Sequence, residues 1–149
     1  MGVDLDSACY VNKPEFGIEC VTKVVDAAIE NGVYVIIDWH SHNLRQEEAK
    51  EFFTQMATRY KGVPNVIYEV FNEPVEDSWE QVKAYSVEVI KTIRAIEPDA
   101  VILVGCPHWD QDIHLAADDP ITGYSNIMYT LHFCLLYTSP SPRDMRRSR

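Results

Sequence analysis

Three residues whose types and order could do chemistry, Asn72, Glu73 and Pro74, directly follow the run Val66-Ile67-Tyr68-Glu69-Val70-Phe71. An apolar, β-branched and aromatic run of this kind reads as a strand of a parallel sheet, covered on both faces. Pro74 cannot donate to the ladder, so the strand stops there and Asn72 and Glu73 emerge at its C-terminal end. In α/β sheets and barrels ligands bind at that end. A carboxylate beside an amide and under a rigid proline is placed there for acid–base work. The competing structural reading makes Glu73 a helix-capping carboxylate and Asn72 a turn residue. Glu69 shares strand parity with Glu73 and points to the same face. A buried charge there must be paired, so Glu69 reads as structural.

Two histidines occupy corresponding places. His40 closes Tyr34-Val35-Ile36-Ile37-Asp38-Trp39-His40, and His132 lies at the end of Asn126-Ile127-Met128-Tyr129-Thr130-Leu131-His132-Phe133. His42 follows His40 by two positions, and imidazoles at that spacing after Asp38 can hold zinc. A metal-dependent barrel hydrolase using Asp38, His40 and His42 is therefore a rival reading. It requires the pair to end a first strand and leaves Asn72-Glu73-Pro74 without a role. Trp109 follows the strand-like run Val101–Gly105 and can present a flat stacking surface or fill core. Trp39, within a strand, and Trp79, at a helix start, read as packing.

The elements that position these residues alternate. Cys20, Val21, Val24, Val25, Ala28 and Ile29 recur at helical spacing, with Gly32 as a stop. Ala49, Phe52, Phe53, Met56, Ala57 and Tyr60 form a second apolar stripe, ended by Gly62. Ser78-Trp79-Glu80-Gln81 reads as a capping box opening a third helix with Val82, Tyr85, Val89, Ile90 and Ile93. Strands expected at 33–39, 65–71, 101–105 and 126–133 must pair in parallel through right-handed crossovers. The spacing suits a (β/α)8 barrel, which needs about 250 residues, whereas this chain has 149. The expected fold is α/β: a partial (β/α)8 barrel with parallel strands, truncated at both ends. A doubly wound sheet is the alternative, but no Gly-rich phosphate loop follows any strand.

The net charge of −10 argues against a nucleic-acid partner, which selects basic surfaces. No apolar stretch reaches the ~18 residues of a membrane helix, and the N-terminus carries no basic-then-apolar signal pattern. Cys9, Cys20, Cys106 and Cys134 show no Cys-x-x-Cys spacing, so no zinc or redox motif is visible. Composition changes after Phe133: residues 135–149 are rich in Ser, Pro and Arg, and four arginines against one aspartate give the segment +3. Such a tail builds no core. Its sequence resembles translated sequencing-adapter read-through. The expected division is a barrel segment at 1–133 and an unstructured, non-native tail at 134–149.

With these motifs in this order the chain resembles the family-5 glycoside hydrolases, the cellulase-type β-glycanases, whose fourth barrel strand ends in Asn-Glu-Pro. The segments ending in His40, Gly105 (with Trp109 beyond) and His132 resemble that family's third, fifth and sixth strands. Met1-Gly2-Val3-Asp4 resembles the tail of the second. The resemblance implies a retaining endo-acting hydrolase of β-1,4-glucan. In it Glu73 is the acid/base and Asn72 the partner of the sugar 2-hydroxyl. His40, His42 and His132 line the site, and Trp109 is a sugar platform. It implies no metal and no cofactor. The family's nucleophile, a glutamate ending strand seven, has no counterpart after His132, so the chain alone is expected to be inactive. A non-catalytic carbohydrate-binding remnant is the remaining alternative. The full-length parent is expected to be extracellular, acting on polysaccharide.

Overall fold

In the computed structural model, residues 10–132 are described. They run α1 (Pro14–Glu30), β1 (Val35–Asp38), α2 (Gln46–Arg59), β2 (Val66–Glu69), α3 (Trp79–Arg94), β3 (Val101–Val104), a single turn α4 (Pro107–Asp110), α5 (Ile113–Asp118) and β4 (Ile127–Tyr129). The four strands form one parallel sheet in sequence order, β1-β2-β3-β4. The expected strand–helix alternation is therefore present, with shorter strands than the apolar runs suggested. Met1–Asp4 and the segment 134–149 lie outside the described residues.

Local chemistry sets the helix ends. Ser78 Oγ accepts from Gln81 N while the Gln81 side chain accepts from Ser78 N, the full capping box. Gly32 and Gly62 follow α1 and α2 with φ of 65° and 76°, a left-handed conformation that glycine adopts at no Cβ cost. On α2 and α3, Phe52, Phe53, Met56, Val82, Tyr85, Val89, Ile90 and Ile93 are all buried. On α1 the expected stripe is not fully used, because Val24 is 64% exposed. This helix packs on β1 at the sheet edge, so part of its apolar face meets nothing among the described residues.

The helices cover one face of the sheet. Ile37, Trp39, Val66, Tyr68, Val70, Ile102 and Val104 turn to that side and are buried. The opposite face carries aligned rows. Ile36 pairs in register with Ile67 and Val101, and Asp38 with Glu69, Leu103 and Met128. That face is open: Ile36 and Met128 are 49% and 57% exposed. The apolar row lies toward the N-terminal end, an acidic row lies above it, and the candidate residues sit above both at the strands' C-terminal ends.

Candidate active site

β2 ends where another element takes its carbonyl: Tyr85 Oη of α3 donates to Val70 O at 2.9 Å. Beyond that point Asn72 N donates to Trp39 O at 3.2 Å, which holds the Asn-Glu-Pro segment against β1's extension. Asn72 is buried, and its Nδ2 has no partner among the described residues. Such an orphan donor is costly unless something else accepts from it. The Glu73 carboxylate is half-buried, and its Oε1 lies 2.8 Å from His132 Nδ1. The two residues predicted at neighbouring rim positions are thus in direct contact.

His40 lies two residues beyond β1, where its Nδ1 meets Asp38 Oδ2 at 2.8 Å. This contact directs the other ring nitrogen away from the acid. His42 sits beside it, with ring centroids 6.2 Å apart. Its Nδ1 donates to the backbone carbonyl of Glu73 at 3.1 Å, bracing the acid's own peptide. The two imidazoles thus give their Nδ1 atoms to different partners. Among the described residues no group of three or more His, Cys, Asp or Glu is arranged to hold a metal ion. Trp109 is 46% exposed among the described residues. Its backbone N–H donates to Pro74 O at 2.9 Å, anchoring the loop after β3 to the segment that carries Glu73. Trp39 and Trp79 are buried and pack as expected.

Asp110 completes the cluster, and the sequence reading missed it. It is fully buried. Its Oδ1 accepts from Cys106 N at 2.6 Å, and its Oδ2 lies 3.1 Å from His132 Nδ1. That second contact has ion-pair distance without hydrogen-bond alignment, so Oδ2 keeps no hydrogen-bond donor among the described residues. Two features bring the side chain inward. His108, Trp109 and Asp110 all take left-handed backbone, with φ of 55°, 56° and 62°, which is strained for residues with a Cβ. Gly105 leaves the space: a Cβ there would stand 2.9 Å from Asp110 Oδ1 and overlap the Phe71 carbonyl oxygen. Burial pushes the Asp110 carboxyl up to about 7, against the pull of the Cys106 N–H and of His132.

Below this cluster, Glu69 is buried and paired, its direct partner being a hydroxyl. Thr130 Oγ1 donates to Glu69 Oε1 at 2.9 Å. Burial raises the Glu69 carboxyl, and the neighbouring Asp38 charge adds to the effect. Burial raises Asp38 as well, with His40 pulling it back. Thr130 could have been found from parity, since it precedes His132 by two on the same strand line. Asp110 could not, because no periodicity governs a turn.

A four-stranded parallel sheet with its polar cluster at the C-terminal ends defines a segment of a (β/α)8 barrel. The model of the family described as cellulase (glycosyl hydrolase family 5) matches residues 7–143, and the chain belongs to that family. Endoglucanase Z of Dickeya dadantii (strain 3937) is 48% identical over 136 residues, which are 89% of this chain and 32% of that protein. A solved structure from Cytophaga hutchinsonii superposes with a TM-score of 0.85 at 45% identity, over 89% of this chain and 44% of that one. A variant of the catalytic domain of Thermobifida fusca endoglucanase Cel5A, solved with cellotetraose, gives 0.79 at 35% identity, over 83% and 44%. The chain thus spans about a third of the curated relative's length and under half of each solved chain.

Proposed function

We propose that these residues form the acid/base half of the active site of a secreted, retaining endo-β-1,4-glucanase. The carrying observation is the half-buried Glu73 carboxylate at a barrel strand's C-terminal end, with His132 Nδ1 2.8 Å from Oε1. In the first step Glu73 gives its proton to the glycosidic oxygen as that C–O bond breaks; in the second it takes a proton from water. Asn72, with its buried and unpartnered Nδ2, is the donor for the sugar 2-hydroxyl. His40, His42 and Trp109 line the subsites, Trp109 as an exposed stacking surface.

Retaining chemistry needs a second carboxyl about 5–5.5 Å from the first. Each carboxyl near Glu73 holds one contact of its own: Asp110 with Cys106 N, Glu69 with Thr130 and Asp38 with His40. We place the nucleophile outside the described residues, take 1–133 as barrel sequence and 134–149 as non-native, and expect the chain alone to be inactive. The family match and the cellotetraose-bound relative favour a β-glucan substrate.

The test is Glu73→Gln in the full-length enzyme. An amide cannot protonate the leaving oxygen, so hydrolysis of natural β-glucan should be abolished. Activated aryl glycosides, whose leaving groups need little protonation, should lose far less in the glycosylation step. Equal loss on both substrates in that step would make Glu73 a nucleophile or a scaffold instead.

A further inference from the structure

One imidazole nitrogen faces two carboxyls. His132 Nδ1 stands 2.8 Å from Glu73 Oε1 and 3.1 Å from Asp110 Oδ2, and His132 N donates to Asp110 O at 3.3 Å. Asp110 therefore grips His132 by both backbone and side chain. Its own place is fixed by Cys106 N, by the space at Gly105 and by the left-handed turn 108–110. That turn is in turn tied to Pro74 by Trp109 N. The Glu73-Pro74 segment and the His132 strand end are thus linked through one buried aspartate, which nothing else in the fold requires to be acidic.

We propose that Asp110 is a positioning residue for the acid step, steering the His132 imidazole onto Glu73 and sharing with that pair the proton the step consumes. This rests on the reading of Glu73 as the acid. Asp110 forms and breaks no bond with substrate: the proton leaves Glu73 for the glycosidic oxygen, which keeps the electron pair of the broken bond. With the N–H of His132 on Oε1, the acid proton is left to Oε2, the oxygen free to face the substrate. A negative charge behind the imidazole helps the set keep its proton, because like charges resist further deprotonation. The groups acting on Asp110 are Glu73 and Glu69 from the β2 segment, His132 beyond β4, and Cys106 on its own loop. Asp38 and His40, at β1, act on Glu69, which in turn acts on Asp110. The effect of removing the Asp110 charge is therefore read in the alkaline limb of the pH–rate profile.

The experiment uses the full-length enzyme and measures kcat and KM against pH, on soluble β-glucan and on an activated aryl cellobioside. Asp110→Asn keeps an oxygen for Cys106 N–H and removes the charge. Its alkaline limb on β-glucan should move to lower pH by roughly one unit. Its kcat on β-glucan should fall about tenfold, its KM should stay within about twofold, and the aryl substrate should be much less affected. If Asp110→Asn does not fold, Asp110→Ser, which also keeps an acceptor, should show the same limb shift. An unmoved alkaline limb, or equal loss on both substrates with a raised KM, would overturn the proposal by making Asp110 merely structural. Glu73→Gln is measured in the same series. If it still hydrolyses β-glucan, the acid assignment and this inference both fall. If only the Asp110 variants behave as wild type, this inference alone falls.

Discussion

His132 Nδ1 and Glu73 Oε1 meet at 2.8 Å although 59 residues separate them in sequence. They come from strand ends that do not touch, since β3 lies between β2 and β4. The contact bridges the strand position between them. It is possible because the intervening residue on β3's line is Gly105, whose missing side chain leaves room for Asp110 to support the histidine.

That bridge predicts the effect of His132→Ala in the full-length enzyme. A hydrogen bond to a charged group is worth about 1.5–3 kcal/mol, roughly tenfold to a hundredfold in rate. The loss should appear in kcat on natural β-glucan and be smaller on activated aryl glycosides, because His132 acts through the acid. Steady-state kinetics on both substrates check this, and a loss confined to KM would make His132 only a sugar-binding residue.

Gly105→Ala should destabilise the fold and disturb the site together. The new methyl overlaps the Phe71 carbonyl and stands 2.9 Å from both Asp110 Oδ1 and Pro74 Cδ. Backbone cannot swing aside as a side-chain tip can, so overpacking should cost about 1–3 kcal/mol. Urea unfolding measures the loss, and a variant as stable as wild type would show that the turn carrying Asp110 yields easily.

Stability should also fall as pH rises, on account of three carboxyls, Glu69 and Asp110 buried and Asp38 half-buried. Asp38, Glu69 and Asp110 are all raised in the fold, chiefly by burial. A raised carboxyl binds its proton more tightly folded than unfolded. Its contribution is therefore full below about pH 4 and is lost as pH climbs through the folded value, about 7 for Asp110. Glu19 and Glu88, lowered by Lys23 and Lys91, act in the opposite sense but are fully exposed. Glu69→Gln keeps an acceptor for Thr130 and removes one of the three charges. Its urea midpoint should gain on wild type between pH 5 and pH 8, and an identical pH dependence would exclude Glu69 as a contributor.

Most of this arrangement was legible from strand ends and parity. Glu73, Asn72, His40 and His132 share one rim because each follows a parallel strand whose apolar run stops at that end, and Ser78 and Gln81 fix the start of α3 as their spacing implied. The Glu69–Thr130 contact was legible only in part, since parity puts both side chains on one face without naming them as partners across two strands. Asp110 was hidden more deeply. Its inward turn depends on three consecutive left-handed residues and on the space at Gly105, and neither leaves a periodic trace. Val24 misled for another reason: helical spacing marks an apolar stripe whether or not a neighbour is there to cover it.

The 149-residue chain, expressed alone, should release no reducing sugar and should self-associate. Its proposed acid, Glu73, has no assigned nucleophile among the described residues, and one partner of a catalytic pair gives only a small residual effect. β1 and β4 each have one parallel neighbour in the described sheet, so each presents a row of backbone groups that another chain can pair with. Tyr34, Ile36, Met128 and Leu131, on or next to these two strands, are 72%, 49%, 57% and 47% exposed. An apolar surface beside an open edge favours association between copies. Size-exclusion chromatography alongside an assay on soluble β-glucan tests both halves. Turnover by a well-behaved monomer would show that these strands already hold a complete site, and would overturn the placement of the nucleophile outside them.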